Sequence, residues 1–327
     1  MKIPVRRLAA AALSVAALLA AAQAQAQAYP NRPVRIIVGF AAGTGPDIVA
    51  RLLAQKLSEG WGNLGVIVDN KPGAGGLIAA TEAARAAPDG YTLMLGETGQ
   101  LSIAPSSYTK LAYDPAKDFV PVSQVVTSSF VLLVNPEKTK ARTVREFVDA
   151  ARTQKELFMA TFGAGTPGHF GAYMFGDATK VKTEPVHYKS TADALGGMFS
   201  GDVQGVFASV GLAAPNVKSG KLAALASSGD TRSPTLPDVP TFKEQGYPQL
   251  VFNSWFGIVA PAKTPADIVV KLQADVMRAA TSPEGKQKIE DAGFRVTGTN
   301  GAEFGRIIAA DTVTWGKAVA ATGFKAD

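Results

Sequence analysis

Three glycine-rich junctions constrain this chain more than any other feature: Gly39–Asp47 (GFAAGTGPD), Asn70–Gly76 (NKPGAGG) and Gly163–His169 (GAGTPGH). Each lies between a β-rich apolar run and a segment with helical spacing. A strand-to-helix turn built of glycine exposes backbone amides at the positive end of a helix, which is an anion-binding geometry. The first and third open what read as equivalent halves. Facing each other across a cleft, they would clamp a small anion.

The periodicity supports such halves. Val34–Phe40 reads as a buried strand, followed after Pro46 by a helix with Val49, Leu52, Leu53 and Leu57 on one face. Val66–Val68 and Tyr91–Leu95 complete a β-α-β-α-β unit, which calls for a parallel sheet. The pattern restarts at Phe130–Val134. Strands are predicted at Leu157–Phe162, Thr183–Tyr188, Val203–Ser209 and Ala223–Ser227, with helices at His169–Ala178 and Ala192–Ser200. Phe252–Val259 reads as a returning strand. Helices follow at Pro265–Thr281 and Ala302–Thr322, the latter packing through Phe304, Ile307, Ile308, Val313 and Trp315.

The expected fold class is therefore α/β: two doubly wound lobes joined by two crossing segments. Residues 29–131 plus 256–327 would form a discontinuous first lobe and 132–255 the second. Two sequential domains are the alternative, but the tail is short for a lobe of its own. Open parallel sheets bind ligands beyond their strand carboxyl ends, so the site is expected between the lobes.

Residues 1–28 read as a signal peptide: Lys2, Arg6 and Arg7, an apolar run from Leu8 to Ala22, then Ala26-Gln27-Ala28 with cleavage after Ala28. Arg6-Arg7 also admits twin-arginine export, with the general secretory route as the default. Removing the leader lowers the formal charge from +6 to +3, since 30 basic residues then face 27 acidic ones. No basic cluster remains for nucleic acid. With no cysteine there is no disulfide, thiol nucleophile or cysteine metal site.

Candidate binding residues follow from the junctions. Gly43 and Gly45 permit positive φ with unobstructed amides, and Gly165 lies in the corresponding loop of the second half. Ala42 lies in the same first loop. Thr44 and Thr166 add hydroxyls. Asp47 either caps its helix or accepts from a ligand donor, and capping is the plainer role. His169, at a helix start, either caps or touches an anion. The Gly163–Gly168 segment also fits the dinucleotide pattern, but Glu184 is only roughly placed for the ribose. No catalytic motif, metal cluster or cofactor is indicated.

The succession YPNRPVRIIVGFAAGTGPD, DNKPGAGG, AAPDGYTLMLG, YDPAKDFVPV, GAGTPGH, VHYKS and WFGIVAP resembles the tripartite tricarboxylate transporter substrate-binding proteins, often called Bug proteins. The resemblance spans essentially all of the chain after residue 28. It implies a periplasmic, two-lobed binding protein of the type II kind; a monomer is expected, because a closing cleft needs free lobes. Such a protein closes on a small carboxylate and delivers it to a two-component inner-membrane permease. The implied ligand loops are Phe40–Asp47, Gly163–His169 and Thr98–Ser102 (Thr98 and Gln100 in particular), with Tyr188 and the end of the Val203 strand bordering the cleft. That strand usually ends in aspartate in the family, whereas Ala208 stands here. The expectation is that amino-acid ligands are disfavoured and a non-amino carboxylate, aromatic or dicarboxylic, is preferred. An exported ligand sensor feeding a signalling protein, or an enzyme on the same scaffold using Asp47 or His169, are the alternatives.

Overall fold

In the computed structural model, residues 29–326 are described; the predicted signal peptide lies outside them. The order is β1 (Val34–Val38), α1 (Gly45–Gly60), β2 (Val66–Asn70), α2 (Leu77–Ala84), β3 (Thr92–Glu97), β4 (Phe119–Val134), α3 (Val144–Ala151), β5 (Leu157–Thr161), α4 (Pro167–Thr179), β6 (Thr183–His187), α5 (Thr191–Ser200), β7 (Gly205–Ser209), α6 (Val210–Lys218), β8 (Ala223–Ser227), β9 (Asn253–Pro261), α7 (Ala266–Thr281), α8 (Pro283–Asp291), β10 (Arg295–Val296) and α9 (Gly301–Thr322). No described helix is long and apolar enough to cross a membrane.

β1 pairs in parallel with β2 and β3, and β5 in parallel with β6 and β7. These two parallel units are joined by β4, which is 16 residues long. Its first part, Phe119–Ser129, runs antiparallel to β9, and β9 in turn pairs with β3. Its last part, Phe130–Val134, runs antiparallel to β7, and Val131–Val134 also to β8. The strand thus changes partners between Ser129 and Phe130, and β9 begins beside that point at Asn253. The sheets are mixed, and only their outer strands are parallel.

Only Phe130–Val134 was predicted as strand. The preceding stretch carries Pro121, Ser123, Gln124, Thr127 and Ser128, and two register shifts against β9 break its alternation. Its polar groups are satisfied from outside the ladder. Ser123 Oγ donates to Thr299 O at 2.7 Å, and Thr297 Oγ1 donates to Gln124 O at 3.1 Å. α6 continues through Gly211 and Pro215, residues that read as helix breakers in the sequence.

Each lobe has a core on both sheet faces, as period-two alternation requires. In the second lobe Leu132 and Val134 pack with Phe147, Phe170, Phe175, Phe207 and Phe252, while Val131 and Leu133 pack with Met198, Val206 and Ala208 on the other face. In the first, Val38, Leu53 and Leu95 sit under α1 and α7, and Ile37, Met94 and Val259 under α2 and α9.

Helix α9 belongs to both lobes. Phe304 is fully buried with Trp255 in the first core. Three turns later Trp315 and Val319 enter the second, where Trp315 meets Phe170 and Phe252. Val313, expected to pack, is 60% exposed because it projects from the opposite face. Trp315→Ala is expected to cost about 3–5 kcal/mol, the range for removing a buried large aromatic. Urea unfolding measures it, and a loss below about 1 kcal/mol would show that this contact between lobes contributes little.

Candidate functional site

β1 leads into Gly39-Phe40, and the chain turns through Gly43 at φ +80° into the extended Thr44. Helix α1 then starts at Gly45, so the Gly45 and Asp47 amides are among those a helix cannot pair internally; Pro46 has none. Gly45 faces the second lobe: a Cβ added there would sit 3.3 Å from Ser209 Oγ. Thr44 Oγ1 donates to Ala41 O at 2.6 Å.

Asp47 turns away from the cleft. Its carboxylate accepts from Gly43 N at 2.9 Å, Arg51 Nε at 3.0 Å and Asn70 Nδ2 at 2.9 Å. Burial works against its ionisation, yet Arg51, the Gly43 amide and Asn70 outweigh burial and hold the carboxyl below the usual range. Asp47 therefore ties the loop to its own helix and to β2, and it also takes up the Gly43 amide expected to reach a ligand.

The second-lobe junction is built in a similar way. Thr166 caps α4, accepting from His169 N and donating to Gly163 O at 2.8 Å. Gly165 N donates to His169 Nδ1 at 3.1 Å. His169 is fully buried; burial first, and His187 second, push it down to about 3, so the ring is neutral. It braces the turn from behind, against Phe324 and Tyr173. Gly168 remains as a first-turn amide of α4.

These two helix starts share a hollow of about 640 Å³, its solvent-open mouth included. Thr44, Gly45 and Pro46 line it from one lobe and Thr166, Pro167 and Gly168 from the other. Two further helix starts reach it, Thr191 at the head of α5 and Ser209 just before α6. The walls are aromatic: Phe40, Phe130, Phe162, Phe207 and Phe256. A second hollow, about 1120 Å³ with its open space, adjoins it and shares Phe40, Thr44, Phe162 and Thr191. Along it the second and third glycine junctions meet. Gly75, at φ +62°, lies so near Ala164 that an added Cβ would be 2.6 Å from its carbonyl oxygen. Tyr108 donates to the same oxygen at 3.2 Å.

Of the predicted site residues, Phe40 and Thr44 line both hollows, Thr166 the first and Tyr188 the second. Ala42 and Gly43 are exposed on the loop and line neither. Gly165 and His169 lie behind the wall. Thr98 is fully buried, its Oγ1 bonded to Ser254 Oγ and Trp255 N at 3.1 Å each. Gln100 is equally buried, accepting from Glu97 N and donating to Gly76 O. Ala208 is in the core among Val131 and Leu133, since alternation along β7 turns Phe207 and Ser209 to the hollow.

The residue missed is Glu97. It ends β3 and lines the first hollow at 6% exposure, with Oε1 buried and unpartnered. Burial pushes its carboxyl up to about 8, the Gly99 amide offsetting this only in part. The same alternation that buries Thr98 turns its neighbour Glu97 to the hollow, so within the polar turn it is Glu97 that lines it.

Residues 49–324 match the tripartite tricarboxylate transporter family receptor. The chain belongs to this family. Protein BugT of Bordetella pertussis is 33% identical over 283 residues, 85% of each chain. The solved periplasmic binding protein BugD is similar at 31% identity and TM-score 0.85, covering 91% of this receptor and 99% of that chain. A Rhodopseudomonas palustris protein solved with adipate is 30% identical, TM-score 0.87, over 91% and 99%. MatC from the same organism, solved with bound malate, is 31% identical, TM-score 0.83, over 89% and 100%. The receptor is thus a solute-binding protein of the tripartite tricarboxylate transporter and Bug type.

Two outcomes follow from this geometry. Gly75→Ala would force the facing loops apart, and ligand affinity is expected to fall about tenfold, ~1.4 kcal/mol. Calorimetry with a bound ligand checks this, and unchanged affinity would show that the loop contact plays no part in closure. For Glu97 the folded group binds its proton more tightly than the unfolded one, whose reference value is 4.5. Stability is then full below about 4.5 and declines as pH rises towards 8. In ligand-free protein Glu97→Gln is expected to add about 1–3 kcal/mol at pH 8 and little at pH 4.5. Urea unfolding at both pH values reads the difference, and an equal effect at the two would contradict the burial of this carboxyl.

Proposed function

We propose that this protein is an exported receptor of the periplasm that captures a small carboxylate in the hollow between its lobes. It then delivers the ligand, as a monomer, to a two-component inner-membrane permease. The observation that carries this reading is the convergence of the N-termini of α1, α4, α5 and α6 on one aromatic-walled hollow. Each helix start carries roughly half a positive charge. Hydrogen bonds from amides to a charged acceptor contribute about 1.5–3 kcal/mol each. The adipate and malate held by two family neighbours support the same ligand class. Binding without turnover fits the site, since His169 is buried and its Nδ1 is committed to Gly165.

A thermal-shift panel of mono- and dicarboxylates and their methyl esters tests the reading. At a hundredfold excess over Kd the right ligand stabilises the fold by about 2.7 kcal/mol, visible as a rise in Tm. The ester is expected to have little effect, and the ligand should be recovered unchanged. Equal shifts with acid and ester, or chemical conversion of the ligand, would contradict it.

A further inference from the structure

The hollow that accounts for a carboxylate also holds one of its own. Glu97 is 94% buried, since only 6% of it is exposed, and its Oε1 has no hydrogen-bond partner. Among the described residues lining that hollow there is no Lys, Arg or His to neutralise it. Tyr113, which feels Glu97 electrostatically, donates its hydroxyl to Gln100 O at 2.7 Å, and burial raises it out of the physiological range. Glu97 thus borders the aromatic rings and the hollow, with Oε1 packed beside Gly99.

We propose that Glu97 determines ligand specificity: it accepts a hydrogen bond from a protonated nitrogen on a ligand whose own carboxylate is held at the helix N-termini. The receptor then takes nitrogen-protonated carboxylates, amino acids among them, in preference to plain mono- or dicarboxylates. This rests on the carboxylate reading above and deepens it.

Three observations converge. An ionised carboxylate buried with no cation beside it costs several kcal/mol, and the Gly99 amide offsets this only in part, so the side chain stays protonated while the site is empty. A ligand ammonium supplies the missing partner and allows ionisation; the Glu97 proton leaves to solvent, and a charge-assisted pair forms in its place. Phe40, Phe130, Phe162, Phe207 and Phe256 line the hollow, and a cation over an aromatic face gains about 0.5–2 kcal/mol. A second carboxylate would instead be set beside Glu97 with no cation in the lining. Amino-bearing ligands were expected to be disfavoured because Ala208 replaces an acid. Ala208 lies in the core, and Glu97 supplies the carboxylate from another strand.

The test is calorimetry at pH 7 with matched pairs: glutamate with glutarate, 5-aminopentanoate with pentanoate, and phenylalanine with 3-phenylpropanoate. Each titration is run in two buffers of different ionisation enthalpy, which counts protons released. In at least one pair the nitrogen-bearing member is expected to bind tenfold or more tightly than its match and to release a proton. In Glu97→Gln that preference should drop about tenfold, while the plain member binds as well or better. Tighter binding of the plain member in the wild type, no preference within any pair, or a preference that survives Glu97→Gln overturns the proposal and leaves the carboxylate reading standing. Failure of every carboxylate to bind removes both. Proton release in the wild type is a readout that does not depend on the variant folding.

Discussion

The first turn of a helix has amides that nothing in that helix can satisfy. Four helices of this protein begin at one hollow, and the rest of the architecture places them there. α1 enters from one lobe, and α4, α5 and α6 from the other. The parallel units aim these starts the same way, because each helix follows a strand whose carboxyl end meets the gap. β4 and β9 hold the two units in register across that gap, and α9 reinforces them by burying Phe304 in one core and Trp315 in the other. The outcome is a region of positive potential enclosed by aromatic rings, where electrostatic contacts are stronger than in water.

Glu97 is the counterweight within that region. Helix ends favour negative charge, while apolar walls oppose it without a partner. An empty site resolves this by keeping the carboxyl protonated, consistent with its elevation to about 8. Ligand chemistry then decides whether the proton stays. Affinity in this hollow is governed less by area than by how completely a ligand meets both kinds of group at once. Loop contacts such as Gly75 against Ala164 limit how closely the lobes can approach around it.

Much of the fold could be read from the chain because its strands are β-branched runs and its helix starts carry glycine and proline. The loops after β1 and β5 were placed correctly, and Thr44 and Thr166 do meet across one hollow. What escaped was governed by contacts distant in sequence. The first part of β4 is polar in sequence, yet the Ser123 hydroxyl and the Gln124 carbonyl bond to Thr299 and Thr297, far along the chain. Thr98 and Gln100, expected at the cleft from the family resemblance, both bond to the backbone of neighbouring segments. Asp47 and His169 bear chemistry-capable groups but spend them on bracing their own loops. Polarity in a loop marks the neighbourhood of a site; only side-chain phase shows which residue faces it, and a one-residue error exchanges Glu97 for Thr98.

The most direct measurement is a crystal structure of the receptor with a bound carboxylate. The account requires a ligand carboxylate oxygen within about 3 Å of a first-turn amide of Gly45 or Gly168. A ligand whose carboxylate lies outside the hollow, or whose anionic end contacts neither helix start, would contradict it.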